Sequence, residues 1–263
     1  MITSRRNSHL KEIRRIRRRA GDAALVEGPH LIGEALDAGL ELRSLLATPD
    51  FLAGAAARGL ASRLPRPPLE VEPQLLAEIT DSDSPRGIVG IAQLPRTGAS
   101  ALPAVDGGVY VYAEGIQDPG NLGALVRVAE ASGVAGLGLS PGSAHPNHPR
   151  ALRASAGSLL RLPVAIRTSP EQMSDHLAAL DPRWIALVPR GGRDLFREAL
   201  SGCLILAIGA EGPGLSDPTR RHAAIELTIP LQPPVESLNT TVAAAVVLFE
   251  IRRRADRAPT ESS

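Results

Sequence analysis

The apolar positions of this chain change period several times, and each change marks an element. Leu10, Ile13 and Ile16 recur every third residue among charged neighbours, which predicts an amphipathic helix with a narrow apolar stripe and a basic face. Residues 24–27 form a short apolar run that breaks on Gly28-Pro29, a strand and a turn. Pro29 suits the first turn of a helix through Ala38, which Gly39 closes. Residues 42–47, 69–71 and 87–92 read as strands; helices are expected from Pro49 or Asp50 to near Arg63 and over 73–79. A helix followed by alternating strands and helices predicts a small α/β module.

The stretch from Pro95 to Gly108 is rich in Pro, Gly and small residues and has no period, so it reads as an interdomain linker. Alternation then resumes. Strands are expected over 109–113, 136–139, 162–166 and 184–188, and from Cys203 onward. Helices are expected from near Asn121 to Gly133, within 145–158, and over 171–180 and 195–199. A polar helix, a short strand and an Ala/Val-rich helix over 240–253 close the chain. Such alternation predicts a mostly parallel sheet with helices on both faces. The expected division is an N-terminal α/β domain at 1–95, a linker at 96–107, a parallel-sheet α/β domain at 108–257 and a disordered tail at 258–263.

Composition narrows the class. The 263 residues are 43% hydrophobic, enough for a packed core, and no apolar run approaches the ~18 residues of a membrane span. Cys203 is the sole cysteine and the basic N-terminus leads into arginines rather than an apolar segment; both fit a cytoplasmic protein. Net charge is only +1, but Arg5, Arg6, Lys11, Arg14, Arg15, Arg17, Arg18 and Arg19 crowd the first turns with Glu12 the single acid among them. A local field of that sign favours polyanions, although a solvated helix face explains a charge run equally well. Aromatics make up 2% of the chain, which argues against a base-stacking sheet.

Three stretches carry candidate chemistry. Gly209-Ala-Glu-Gly-Pro-Gly214 follows a strand, but its spacing is wrong for a dinucleotide fingerprint and it lies far from the first βα unit. The glycines could form a bare turn, but Glu211 set among them favours a site where backbone amides approach a ligand. Asn121 and Arg127 lie six residues apart on one helix, with Asn121 as a plain N-cap the bland alternative. Ser237-Leu-Asn239 opens the last helix, where Ser237 could serve simply as a cap. His145 and His148 have no partners at metal-ligand spacing, so no metal site is expected.

Taken together, Ile116-Gln-Asp-Pro-Gly-Asn-Leu-Gly-Ala-Leu-Val-Arg127, Ile208-Gly-Ala-Glu-Gly-Pro-Gly-Leu-Ser216 and the stretch Ile229-Pro-Leu through Glu236-Ser-Leu-Asn239 resemble motifs one to three of the SpoU/TrmH-type RNA 2′-O-methyltransferases of the SPOUT superfamily. Arg153-Ala-Ser-Ala-Gly157 resembles a further family block. Val26-Glu-Gly-Pro-His30 and Ser84-Pro-Arg-Gly-Ile88 resemble the substrate-binding domain of the ribosomal-RNA branch. The resemblance implies a deep C-terminal trefoil knot, against the usual rule that chains do not thread loops. It implies S-adenosylmethionine bound at Gly209, Ile229 and Leu238, key roles for Asn121, Arg127, Glu211, Ser237 and Asn239, and a homodimer through the knotted domain. RNA is the implied partner, ribosomal RNA foremost, with Arg5, Arg6, Arg14 and Arg153 as candidate contacts. A transfer-RNA methyltransferase and an RNA-binding assembly factor without catalysis stay open as alternatives. Ala210 and Pro233-Pro234 depart from the usual pattern without removing a key position.

Overall fold

The computed structural model describes residues 1–19, 21–80, 86–94 and 98–257. Ser84 and Pro85, the start of the expected linker at Pro95–Thr97, and the expected tail at 258–263 lie outside the described residues. The chain forms two compact units, Met1–Arg96 with His145–Arg161, and Thr97–Ala144 with Leu162–Ser263.

The first unit opens on α1 (Ser8–Arg18), capped by Asn7, whose side chain accepts from the His9 amide at 2.9 Å. Leu10, Ile13 and Ile16 are buried, as their spacing requires, beside Leu75, Leu76 and Ile79. Then come β1 (Ala23–Glu27), α2 (Gly28–Asp37), β2 (Leu42–Ala47), α3 (Pro49–Ala53), α4 (Ala55–Ala61), β3 (Leu69–Glu70), α5 (Pro73–Ile79) and β4 (Ile88–Gln93). The strands make one mixed sheet in the order β1-β4-β2-β3. The single helix expected from Pro49 to Arg63 is two helices, because Gly54 is extended (ψ 167°) and breaks the run.

In the second unit β5 (Val109–Glu114), α6 (Pro119–Ser132) and β6 (Gly136–Leu139) follow the expected alternation. The next helices, α7 (Pro149–Ala154) and α8 (Ser158–Arg161), belong to the first unit, where Asn147 Nδ2 donates to Gly21 O at 2.7 Å and Leu94 O at 3.2 Å. The expected second-domain run therefore leaves and re-enters its unit. The second unit resumes with β7 (Val164–Ala165), α9 (Pro170–Leu177), β8 (Arg183–Leu187), β9 (Arg193–Asp194), β10 (Leu204–Gly209), α10 (Asp217–His222), β11 (Ile225–Thr228) and α11 (Thr240–Ala255). Its seven strands are parallel throughout, in the order β7-β6-β5-β10-β8-β11-β9.

Two expectations for this unit fail for tertiary reasons. The helix expected at 195–199 is absent: β9 pairs with β11 instead, and Asp194 Oδ1 accepts from the Phe196 amide at 2.8 Å in a turn. The described part of the expected linker is packed rather than loose. Leu102 is 2% exposed, and Tyr110 Oη donates to Pro103 O at 2.6 Å while accepting from the Val105 amide at 2.9 Å.

Candidate functional site

Parallel strands all deliver their following loops to one end of a sheet, and ligands collect there. In this protein β8, β10 and β11 are neighbours, and the residues that end or follow them enclose a cavity of about 580 Å³. Leu187–Pro189 come from β8, Ile208 and Gly209 from β10, and Ile229 and Leu231 from beyond β11. The wall is completed by Ala210, Glu211, Gly212 and Gly214 and by Ser237, Leu238, Asn239, Thr240 and Ala243. All three cofactor positions implied by the resemblance, Gly209, Ile229 and Leu238, line this cavity.

The 209–216 loop turns back on itself. Ala210 and Gly214 form an antiparallel bridge, with the Gly214 amide donating to Ala210 O at 3.1 Å. A Cβ built at Gly209 would lie 2.1 Å from the Gly214 carbonyl carbon, so only glycine permits the return. Beyond Ser216 the chain enters α10, whose last residue is held by His222 Nε2 donating to Glu171 Oε1 at 3.0 Å. That hydrogen bond, foremost among several, draws the Glu171 carboxyl down to about 2.

Glu211 sits at the tip of this loop and joins two other elements. Asn121 Nδ2 donates to its Oε1 at 3.4 Å, and Asn239 Nδ2 donates to the same oxygen. Asn121 is free to do so because it is not the helix cap: Asp118 caps α6, accepting from the Asn121 amide at 2.8 Å. At α11 the cap is Asn239, not Ser237; Asn239 Oδ1 accepts from the Thr241 amide at 3.0 Å and the Val242 amide at 3.3 Å. One side chain thus caps a helix and fixes Glu211 at once. Thr240 Oγ1 adds a bond to Gly209 O at 3.3 Å, and Thr241 Oγ1 one to Asn121 O at 3.3 Å. Neither threonine stood out in the sequence, where a residue just inside a helix start reads as a helix former.

Ser237 is exposed on the cavity wall. Arg127 is exposed on α6 and is not among the cavity residues; Glu211 is held by the two asparagines and not by it. In the first unit the candidate arginines divide. Arg5 is paired with Glu78, and Arg14 reaches Glu78 at 3.5 Å and Arg5 O at 2.8 Å. Arg153 lies 3.7 Å from Glu27. Arg6 is exposed, as are Lys11, Arg15 and Arg18, whose i, i+4, i+7 spacing puts them on one stripe of α1 opposite its apolar face. Among the described residues no group of three His, Cys, Asp or Glu could hold a metal ion, and no helix is long and apolar enough to cross a membrane.

The model of the SpoU rRNA Methylase family matches residues 108–249, which hold every residue of the Glu211 constellation. The chain belongs to this family. A second model, the MRM3-like substrate binding domain, matches residues 7–90. An uncharacterized tRNA/rRNA methyltransferase of Synechocystis sp. is 32% identical, with 96% of this chain and 93% of the relative aligned. The 23S rRNA (guanosine(2553)-2′-O)-methyltransferase RlmP of Bacillus subtilis is 26% identical over 95% of this chain and 98% of its own. The crystal structure of the SpoU methyltransferase AviRb from Streptomyces viridochromogenes in complex with AdoMet matches with a TM-score of 0.85 and 26% identity, covering 97% of this chain and 100% of that one.

The cavity suits the methyl donor used by SpoU enzymes. Its volume falls in the range of roughly 300–1,000 Å³ common for small-molecule sites. Leu187, Ile208, Ile229 and Leu231 give apolar walls for a base, and Gly209, Gly212 and Gly214 bring main chain without side chains to the wall. Among the described residues that line it, Glu211 is the only ionisable side chain, and a carboxylate there favours a sulfonium cation.

Proposed function

We propose that this protein transfers a methyl group from S-adenosylmethionine to a ribose 2′-hydroxyl of ribosomal RNA, working in the cytoplasm as a homodimer. One observation carries the reading: Gly209, Ile229 and Leu238 wall a single cavity at whose edge Glu211 gathers Asn121 and Asn239. The relative named for 23S rRNA and the substrate-binding domain at 7–90 favour ribosomal over transfer RNA.

The cofactor would supply an electrophilic methyl group and depart as its neutral thioether, with the 2′-hydroxyl proton passing to solvent at the exposed edge formed by Glu211, Ser237 and Asn239. The protein's task is to hold the ribose in line with it and to stabilise charge growing on the 2′-oxygen. Glu211 fixes the amide planes of Asn121 and Asn239, which leaves Asn121 Oδ1 and the remaining amide hydrogens for the ribose. The exposed Ser237 hydroxyl lies on the same wall and supplies a further ribose contact. Arg127 is a phosphate clamp in this reading and not a base, since a guanidinium with pKa above ~12 keeps its proton near neutrality. Its exposure leaves the cation available to RNA.

In the first unit, Arg6 and the Lys11–Arg15–Arg18 stripe offer the freest phosphate contacts, while Arg5 and Arg14 share their charge with Glu78. The homodimer rests on α11, where Val242 is 50% and Phe249 46% exposed seven residues apart on one face. The deciding experiment maps 2′-O-methylated nucleotides in ribosomal RNA with the active protein and with Arg127→Ala. One site lost in the variant is the expected result; unchanged methylation in cells lacking the protein would sink the reading.

A further inference from the structure

Glu114 is outside every motif position discussed so far. It ends β5 and pairs in parallel register with Gly209, so the two strand ends lie side by side where the 209–216 loop departs. The loop's far end returns to the same place. Glu114 Oε2 accepts from the Ser216 amide at 2.9 Å, and Oε1 accepts from Ser216 Oγ at 2.7 Å. Ser216 is also the N-cap of α10, with its Oγ accepting from the Thr219 amide at 3.4 Å.

We propose that Glu114 is a positioning residue for methyl transfer, acting through Ser216 to hold the 209–216 loop in its cofactor-binding shape. The proposal rests on the reading of the cavity as the methyl-donor site. The geometry argues for the role in three steps. The loop contributes Gly209, Ala210, Glu211, Gly212 and Gly214 to the cavity. A loop closed at one end only keeps much of its conformational freedom, and fixing each backbone residue costs roughly 1–2 kcal/mol of entropy. Here the outgoing end is fixed by β10, the tip by Asn121 and Asn239, and the returning end by Glu114. Glu114 and Asn121 bracket one βα connection, so the loop is held at its tip by a residue of the first motif and at its return by the strand end that precedes that motif.

The grip is charge-assisted: the Ser216 amide and, in this arrangement, its hydroxyl both donate to an anionic acceptor. The isosteric amide would lose that charge, and its N–H would oblige the Ser216 hydroxyl to turn and accept.

The test compares wild type, Glu114→Gln, Ser216→Ala and the double variant in three measurements: S-adenosylmethionine binding by calorimetry, kcat on ribosomal RNA, and amide exchange over 209–216 without cofactor. Glu114→Gln is expected to weaken cofactor binding about tenfold, to change kcat at saturating cofactor less than threefold, and to speed exchange of the Ser216 amide and the loop. Ser216→Ala should weaken binding about fivefold, and the double variant should be no worse than Glu114→Gln, because both remove one interaction. Cofactor affinity within twofold of wild type, or additive losses with loop exchange unchanged, would overturn the proposal. If Glu114→Gln fails to fold, Ser216→Ala alone decides by the same binding and exchange criteria. Wild-type protein that binds no S-adenosylmethionine would refute the functional reading, while the exchange measurement would still decide whether Glu114 holds the loop.

Discussion

The 209–216 and 229–239 loops wall the same cavity but are held by different means. The first is gripped along its length: a backbone bridge between Ala210 and Gly214, two amides on Glu211, and the Glu114 carboxylate on Ser216. The second is gripped chiefly at its end, where Asn239 caps α11. Between Leu231 and Leu238 its residues are exposed; the Val235 amide donates to Gln232 O at 3.1 Å and Glu236 pairs with Arg190 at 2.6 Å. One wall of the cavity is therefore pre-organised and the other is lightly tethered. Pre-organisation lowers the entropy lost on binding, while the lighter wall leaves room for ligand entry.

The largest effect should come from breaking the tight loop's return. In Gly209→Ala the new methyl group meets main-chain atoms of Gly214 and Leu215 within 2.4 Å, and backbone cannot step aside as a side chain tip can. Overpacking of this kind costs roughly 1–3 kcal/mol, and its midpoint corresponds to a fall in cofactor affinity of about 30-fold. Calorimetry reads this directly. Affinity within threefold of wild type would show that the tight loop is not the rigid wall.

Next in size is Glu211→Ala. It strands the amides of Asn121 and Asn239 and removes the carboxylate facing the cavity. Hydrogen bonds to a charged group contribute roughly 1.5–3 kcal/mol, but Glu211 is exposed and the lower end applies, about a tenfold loss in kcat/KM. Glu211→Gln keeps one acceptor and should fall between. Asn239→Ala should also shorten the ordered start of α11, visible as faster exchange of the Thr241 and Val242 amides, whereas Asn121→Ala should leave α6 intact because Asp118 caps it.

Much of this site was legible because its residues fall in three contiguous blocks, each a strand-end loop with glycines, prolines or polar side chains that a buried strand would not tolerate. The parallel sheet was legible from alternation for the same reason. What escaped depends on partners distant in sequence. Asp118 or Asn121, and Ser237 or Asn239, satisfy the same capping chemistry, and only the folded backbone selects one. No composition change announces that 145–161 belongs with the first unit, since Asn147 is matched there by main-chain oxygens of Gly21 and Leu94. Arg5 and Arg14 looked free until Glu78 was placed beside them. Residues 193–194 became a strand only because Leu227 and Thr228 were available to pair with them.

The smallest effect should come from the lighter loop. Arg190 and Glu236 are 68% and 76% exposed, and both side chains are long and solvated. Exposed ion pairs typically contribute about 0.2–1 kcal/mol and are screened by salt. Arg190→Ala should therefore change cofactor affinity by at most about fivefold at low ionic strength, with the difference gone near 0.5 M salt as the Debye length drops toward ~4 Å. The off-rate should carry the change, because a tether on one wall slows departure more than entry. A loss as large as that of Gly209→Ala, persisting in high salt, would mean that the 229–239 loop is held as firmly as its neighbour, and that the contrast between a fixed wall and a yielding one is wrong.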